Sequence, residues 1–352
     1  MIEQLKIKNF MAFSDELTVN FSPKINVIIG ENATGKTQLL KLLAINANGV
    51  LKHEGKQGSN DPDFTDWLTS RILEYFLPLN GELGNLCHSF ASDKCTLEYK
   101  EINGKYYSID FSKDSKKIEF NFNNYRWDYD QRVFIPTKEM LSFMLGFGSL
   151  YDKYNLSFDG TYRNLYMLLE MPTLRAKNLS ENTSTLLKTI ESICGGRFVF
   201  HGGGKVTFQG KGNIEYSANG VAEGIRKMGI LYRLLETGAI NPGKSGPLLW
   251  DEPESNMNPK LMKLLVEVLL ELSRNGQQVI LTTHDYVLLK WFDLLMDKGK
   301  DDHVRYHTLY RDKNDVVQIK STDDYKVIAN NPISEAFTDL TVAHAQARLQ
   351  SV

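Results

Sequence analysis

Cysteine is scarce in this chain: Cys87, Cys95 and Cys194 are the only 3 in 352 residues. Their odd number and lack of pattern argue against a disulfide framework or a zinc site and fit a reducing compartment. An excess of one charge is lacking as well, because 41 Lys and Arg face 43 Asp and Glu for a net of -2. Nucleic acid therefore meets no global basic field, and any such contact must come from a local patch or from oligomer geometry. No apolar run approaches a membrane span, and residues 1–7 alternate polar and apolar like a strand, without the basic and apolar regions of a signal peptide. A cytoplasmic protein with no membrane partner is expected. Apolar heptads are not sustained between Thr37 and Asp251, which excludes a long coiled-coil arm, and no fixed-period repeat or low-complexity tract stands out.

Hydrophobic content of 42% and charged content of 24% are ordinary for a globular chain, which at this length holds one large domain or two lobes. The informative stretch is Gly30-Glu31-Asn32-Ala33-Thr34-Gly35-Lys36-Thr37, a complete G-x-x-x-x-G-K-[ST] phosphate loop. An apolar run at 25–29 feeds it as a buried strand, and 37–43 leaves it as a helix. Glycines let backbone N–H groups wrap phosphates, and a helix N-terminus adds partial positive charge there. Lys36 is expected to reach the β- and γ-phosphates of ATP, and Thr37 to ligate magnesium. Gly238 to Ser245 also fits the pattern, but a helical run precedes it and a strand follows it. That order is reversed, and Pro242 removes a donor where the cradle needs one, so a surface loop is expected there.

Between the motifs, residues 46–63 turn polar and glycine-rich, suggesting a mobile excursion before a helix around 67–76. Segments 95–99, 105–110 and 117–122 look like an antiparallel meander, 132–136 like a buried strand, and Lys138 to Met144 like the start of a helix. Helices around 164–170 and 183–194, a meander over 197–200, 205–208 and 213–216, and a long helix at 221–236 follow. A strand-helix-strand unit over 248–250, 259–274 and 278–283 comes next.

Leu248-Leu249-Trp250-Asp251-Glu252 is a strand ending in two carboxylates, at the sheet edge where open α/β folds bind ligands. Two acids of different duty suit the chemistry: Asp251 would hold magnesium, and Glu252 would polarise the attacking water. Pro259 stands at a first helical position. His284 ends the next apolar strand, one strand-helix-strand unit beyond the acids, where it can reach the γ-phosphate. His303 and His307 share a strand face without a third ligand, His201 to Lys205 reads as a hairpin, and Ser321 to Asp324 as a solvated polar turn.

The order of phosphate loop, Ser217-Ala-Asn-Gly220 ahead of a helix, Asp251-Glu252-Pro-Glu-Ser-Asn-Met-Asn-Pro and Thr283-His284 resembles the ABC-type ATPase heads of SMC, RecF and OLD proteins. It is most similar to compact bacterial AAA-family ATPases of phage-defence and abortive-infection operons, a likeness to which Phe134-Ile-Pro-Thr-Lys-Glu139 contributes. The resemblance implies a single α/β, P-loop NTPase head over residues 1–352, with a mixed sheet, flanking helices, an antiparallel meander and a helical signature lobe. Lobe I would take about 1–135 and 240–352, with an insertion at about 46–125, and lobe II about 136–239. It further implies a dimer with ATP at the interface, Ser217 and Gly220 completing the neighbour's site in trans. Asn219 stands near the place of the usual second glycine. Met11 stands where DNA-repair members often carry a basic residue, and either Lys138 or Glu139 is the candidate for a magnesium-sensing residue between lobes.

The stretch after His284 is shorter than the TOPRIM nuclease domain of OLD proteins, so no self-contained nuclease is expected. These readings predict an ATPase that is not itself a nuclease, using ATP and Mg2+. It would assemble as a dimer or higher oligomer and control a separately encoded toxic effector, a nuclease, in prokaryotic anti-phage defence, with DNA or a phage protein as trigger. The alternative is a RecF- or SMC-like DNA-binding ATPase in repair or maintenance.

Overall fold

The computed structural model describes residues 1–45, 62–90, 93–123, 131–154 and 156–350. The expected excursion at 46–63 therefore lies outside the described residues up to residue 61, and Pro62 already opens a helix. In chain order the larger elements begin with β1 (Ile2–Lys8), β2 (Leu17–Asn20), β3 (Ile25–Gly30), α1 (Lys36–Ala44) and α2 (Pro62–Phe76). Next come β4 (Cys95–Glu101), β5 (Tyr106–Phe111), β6 (Glu119–Asn123), β7 (Val133–Ile135), α3 (Phe147–Lys153), α4 (Gly160–Leu169) and α5 (Glu181–Cys194). Then β8 (Gly196–Phe200), β9 (Val206–Gly210) and β10 (Glu215–Ser217) precede α6 (Glu223–Glu236), β11 (Leu248–Trp250), α7 (Pro259–Arg274) and β12 (Val279–Thr282). The chain closes through α8 (Tyr286–Leu295), β13 (Val304–Arg311), β14 (Val317–Thr322) and α9 (Pro332–Gln350).

A six-stranded sheet runs β14-β13-β3-β12-β11-β7. It is parallel except at β14, so the carboxyl ends of β3, β12, β11 and β7 point one way. Buried on both faces, these strands read as continuous apolar runs. Their side chains alternate between two cores: Val27, Trp250 and Leu281 face the layer of α4 to α8, while Ile28, Leu249 and Ile280 face α1 and the antiparallel sheet. That second sheet runs β2-β1-β4-β5-β6. The meander at β4 to β6 thus extends the opening strands, because β1 pairs with β4 from Ile2↔Glu101 to Lys8↔Thr96. A three-stranded sheet, β10-β9-β8, leads into α6.

The helix expected at Lys138 to Met144 is not formed; turns occupy 141–143, and α3 starts only at Phe147 behind the left-handed Gly146. The reason is tertiary. Thr137 and Glu139 spend their side chains on Asp251 and Arg226, at 2.9 and 2.6 Å, which pins the segment in a non-helical course. The helix expected from Val221 begins instead at Glu223. Ser217 to Gly220 lie ahead of it in a short 3-10 turn, where Ser217 Oγ accepts from the Asn219 N–H at 3.4 Å. Gly238 to Ser245 form the loop between α6 and β11, as their reversed context required.

Candidate functional site

β3 delivers its chain to the phosphate loop with no room to spare. A Cβ on Gly30 would lie 2.3 Å from the Leu309 carbonyl oxygen of β13, and one on Gly35, at φ +89°, would lie 2.6 Å from Phe13. Only glycine fits either position. Gly35 is also the N-cap of α1 and offers no side-chain cap, and the first turn carries no acid. The first N–H groups of α1 are left to a ligand, and the helix end favours an anion. Lys36 is buried, and its Nζ donates to the Gly30 and Glu31 carbonyls at 2.9 and 2.7 Å. Burial pulls its pKa down to about 8, against the opposing pull of Glu252, Asp251 and Glu31.

β11 lies two strands from β3, with β12 between them, yet α1 brings Thr37 across. Its Oγ1 donates to the Asp251 carboxylate at 2.9 Å. The same carboxylate accepts from Thr137 Oγ1 at 2.9 Å, beyond β7, and from Thr282 Oγ1 at 2.6 Å, at the end of β12. Three hydroxyls from three elements thus fix one buried acid. Together with the Thr37 hydroxyl it forms a hard-oxygen pair of the kind that suits Mg2+.

Glu252 follows in a left-handed backbone, φ +47°. Its N–H donates to Thr282 Oγ1 at 3.0 Å, and its carboxylate lies 3.2 Å from His284 Nε2. Burial, then the nearby Lys36 cation, lower the His284 pKa, against the opposing pull of Glu252 and Asp251. Asp285 caps α8 by accepting from the Leu288 N–H at 2.7 Å, which sets the turn that carries His284. A hollow of about 470 Å³ opens beside Gly30 and His284, walled by Tyr286 and Phe337, whose rings stack at 4.0 Å.

Glu254 supports the histidine turn from below. Its Oε1 accepts from Thr283 Oγ1 at 2.7 Å and from the His284 N–H at 3.0 Å, while Oε2 is buried with no hydrogen-bond partner among the described residues. Burial raises this carboxyl to about 7.

The structure brings together Gly30 to Thr37, Asp251, Glu252 and His284. Ser217 and Gly220 stand apart: among the described residues neither hydrogen-bonds to the loop at 30–37, Ser217 is exposed, and a Cβ on Gly220 would meet open space. Glu139 is held by Arg226 at 2.6 Å and Lys138 lies over the Phe158 ring. Three glycines of the 201–205 hairpin have positive φ, and two of their N–H groups hold the Glu170 carboxylate. His307 is buried between Ser321 and Asn26, its pKa driven down to about 3 by burial, and His303 pairs with Ser22 and Asp323. Asp323, expected to be merely solvated, takes Arg305 at 2.6 and 2.9 Å, because β13 and β14 pair beside it. No group of three or more His, Cys, Asp and Glu placed to hold a metal occurs among the described residues.

Thr137, Thr282, Glu254 and Lys227 were not singled out from the sequence. The first two sit one residue past an apolar strand run or at its end, a position that could have flagged them. Lys227 gave a subtler signal, a charge on the apolar stripe of α6.

A family model described as an AAA domain, putative AbiEii toxin, Type IV TA system, matches residues 107–290, and a second, described as an AAA domain, matches residues 4–192. The chain is 41% identical over 66 residues to the DNA replication and repair protein RecF of Lysinibacillus sphaericus, covering 19% of this chain and 16% of that protein. It is 27% identical over 201 residues to the structural maintenance of chromosomes protein 6 of Schizosaccharomyces pombe, covering 53% of this chain and 17% of that one. These relatives are matched over a small part of their own length. Among solved structures, the SmcHead bound to the C-winged helix domain of ScpA aligns with a TM-score of 0.60 at 13% identity, over 92% of this chain and 98% of that one. The fold is that of an SMC-type ABC-ATPase head. No helix among the described residues is long and apolar enough to cross a membrane.

Proposed function

Because the chain belongs to the AAA-domain family described as putative AbiEii toxin, Type IV TA system, and is an ATPase of the SMC and RecF type, we propose that residues 30–37, 251, 252 and 284 form its hydrolytic site for ATP. One observation carries this reading: Thr37 reaches Asp251 at 2.9 Å while Glu252 reaches His284 at 3.2 Å, at the ends of neighbouring parallel strands. Lys36 leaves its two carbonyls to donate to the β- and γ-phosphates, and the N–H groups of 33–37 wrap them. Thr37 and Asp251 are the residues that would hold Mg2+, which would supply charge neutralisation on the phosphates. Glu252 orients a water and accepts its proton, and His284 donates from Nε2 toward the γ-phosphate or Glu252. Two variants separate binding from turnover: Lys36→Ala should lose ATP binding, whereas Glu252→Gln should keep ATP and stall hydrolysis, and wild-type turnover in Glu252→Gln would contradict the base assignment.

We read residues 1–135 with 240–352 as lobe I and 136–239 as lobe II, and the working unit as a dimer in which Ser217 and Gly220 complete the partner's site. Mixing Lys36→Ala with Ser217→Arg chains should restore turnover, since one site in each mixed pair carries neither lesion. No recovery in mixtures that exchange subunits would contradict the composite site.

The family description favours a role in a toxin–antitoxin or anti-phage system, in which this ATPase controls a separately encoded effector, a nuclease, in response to DNA or a phage protein. The RecF match favours the second reading, a DNA-binding ATPase in repair. Copurification with the products of neighbouring genes distinguishes them. A toxic partner whose activity differs between Lys36→Ala and Glu252→Gln supports the first, because a ligand shifts an equilibrium only through differential affinity. Magnesium-dependent cleavage of nucleic acid by the lone chain would contradict it. Salt-sensitive binding to DNA ends or gaps without a toxic partner supports the second.

A further inference from the structure

A buried cation enters the candidate site from a helix that carries none of its motifs. Lys227 lies on α6 with 1% of its surface exposed. Its Nζ donates to the Ser255 carbonyl at 2.7 Å and to the Glu252 carbonyl at 3.3 Å. These two carbonyls bound the turn that follows the strand acids, closed by the Ser255 N–H on the Glu252 carbonyl at 3.1 Å.

Glu252 needs holding. At φ +47° it occupies the left-handed region, which a residue with a β-carbon adopts only where its surroundings enforce it. Its N–H is held by Thr282 and its carboxylate by His284, both at the end of β12. The carbonyl is tied to α6, through Lys227. An ammonium loses hydration when buried, so an ordinary turn gains little from one. Here burial does pull the Lys227 pKa down, and the carboxylates of Glu223, Glu254, Glu252 and Glu139 oppose that pull. The preceding residue, Arg226, donates to Glu139 at 2.6 Å and to the Val221 carbonyl. Consecutive residues of α6 therefore anchor the segment after β7 and the turn after β11.

We infer that Lys227 is a positioning residue of the hydrolytic site, fixing the left-handed backbone of Glu252 and so the direction of its carboxylate by tying the 252–255 turn to α6. The inference rests on the reading of Glu252 as the base. Lys227 touches none of the loop residues 30–37 by a hydrogen bond among the described residues, so ATP affinity should not depend on it.

The test is single-turnover hydrolysis, normalised to the ATP-loaded fraction so that any loss of folded protein is factored out. Lys227→Met should slow the step about 10- to 100-fold, the scale of a misplaced catalytic group, with the ATP dissociation constant changed less than about threefold. Lys227→Arg, which keeps donors for both carbonyls, should recover part of the rate. In a Glu252→Gln background, adding Lys227→Met should cost little further, since its effect runs through the missing base. A Lys227→Met rate equal to wild type per loaded site, or a full additional loss in the Glu252→Gln background, would overturn the inference. The reading beneath it fails separately, by wild-type turnover of Glu252→Gln alone.

Discussion

At the phosphate loop, eight consecutive residues make the site mostly from backbone, with the N–H groups of an uncapped helix start exposed to a ligand. At the acid and histidine corner, by contrast, side chains from α6, from the end of β12 and from the segments that follow β7, β11 and β12 converge: Lys227, Thr282, Thr137, Glu252 and Glu254, and Thr283. The first half is a local device whose shape follows from chain geometry. The second exists only once the sheet is assembled, so its parts depend on one another. Substitutions in the loop should therefore strike nucleotide binding, and those in the corner should strike turnover or its dependence on conditions.

For nucleotide affinity the loop should matter most. Lys36→Ala removes the cation proposed to reach the phosphates and should weaken ATP binding by at least about 100-fold, consistent with a charge-assisted contact made in a buried setting. Isothermal titration measures it, and near-normal affinity would break the contrast. In the corner, Glu254→Gln should change the pH dependence of stability. The folded carboxyl is raised to about 7, above its ordinary value, so it binds its proton more tightly folded than unfolded. Its stabilising contribution is complete below the unfolded pKa and is lost as pH rises through about 7. Wild-type melting should therefore fall across that window by an amount on the order of a few kcal/mol, and Glu254→Gln should flatten the slope. An unchanged slope would contradict the account of the buried carboxyl. The smallest effect is expected from Thr137→Val, which removes one of three hydroxyls on Asp251 at about 1 kcal/mol. It should raise the Mg2+ concentration needed for half-maximal turnover about fivefold and leave ATP affinity in place.

The same contrast explains what was legible in the sequence. Residues 30–37 announce themselves because the motif is contiguous and sits between a β-run and a helical run. Asp251, Glu252 and His284 could be ordered along the chain because each ends a short apolar strand. Their neighbours could not. Lys227 is distant from Ser255 in sequence and meets it only because α6 packs over the 252–255 turn. The helix expected over 138–144 does not form because local propensity is outweighed by Thr137 on Asp251 and Glu139 on Arg226, contacts no local pattern encodes. The meander at β4 to β6 was recognised strand by strand, but its pairing to β1 joins residues about a hundred positions apart and left no local trace.

The role proposed for Glu252 is that of the base, in a corner joined to the nucleotide cradle through Thr37 on Asp251. Glu252→Gln tests it most directly, with ATP binding and turnover measured on the same preparation. An ATP dissociation constant within about threefold of wild type is expected, with turnover lowered about 100- to 10,000-fold, the range of general-base catalysis. Wild-type turnover, or a loss of binding as large as that of Lys36→Ala, would contradict it.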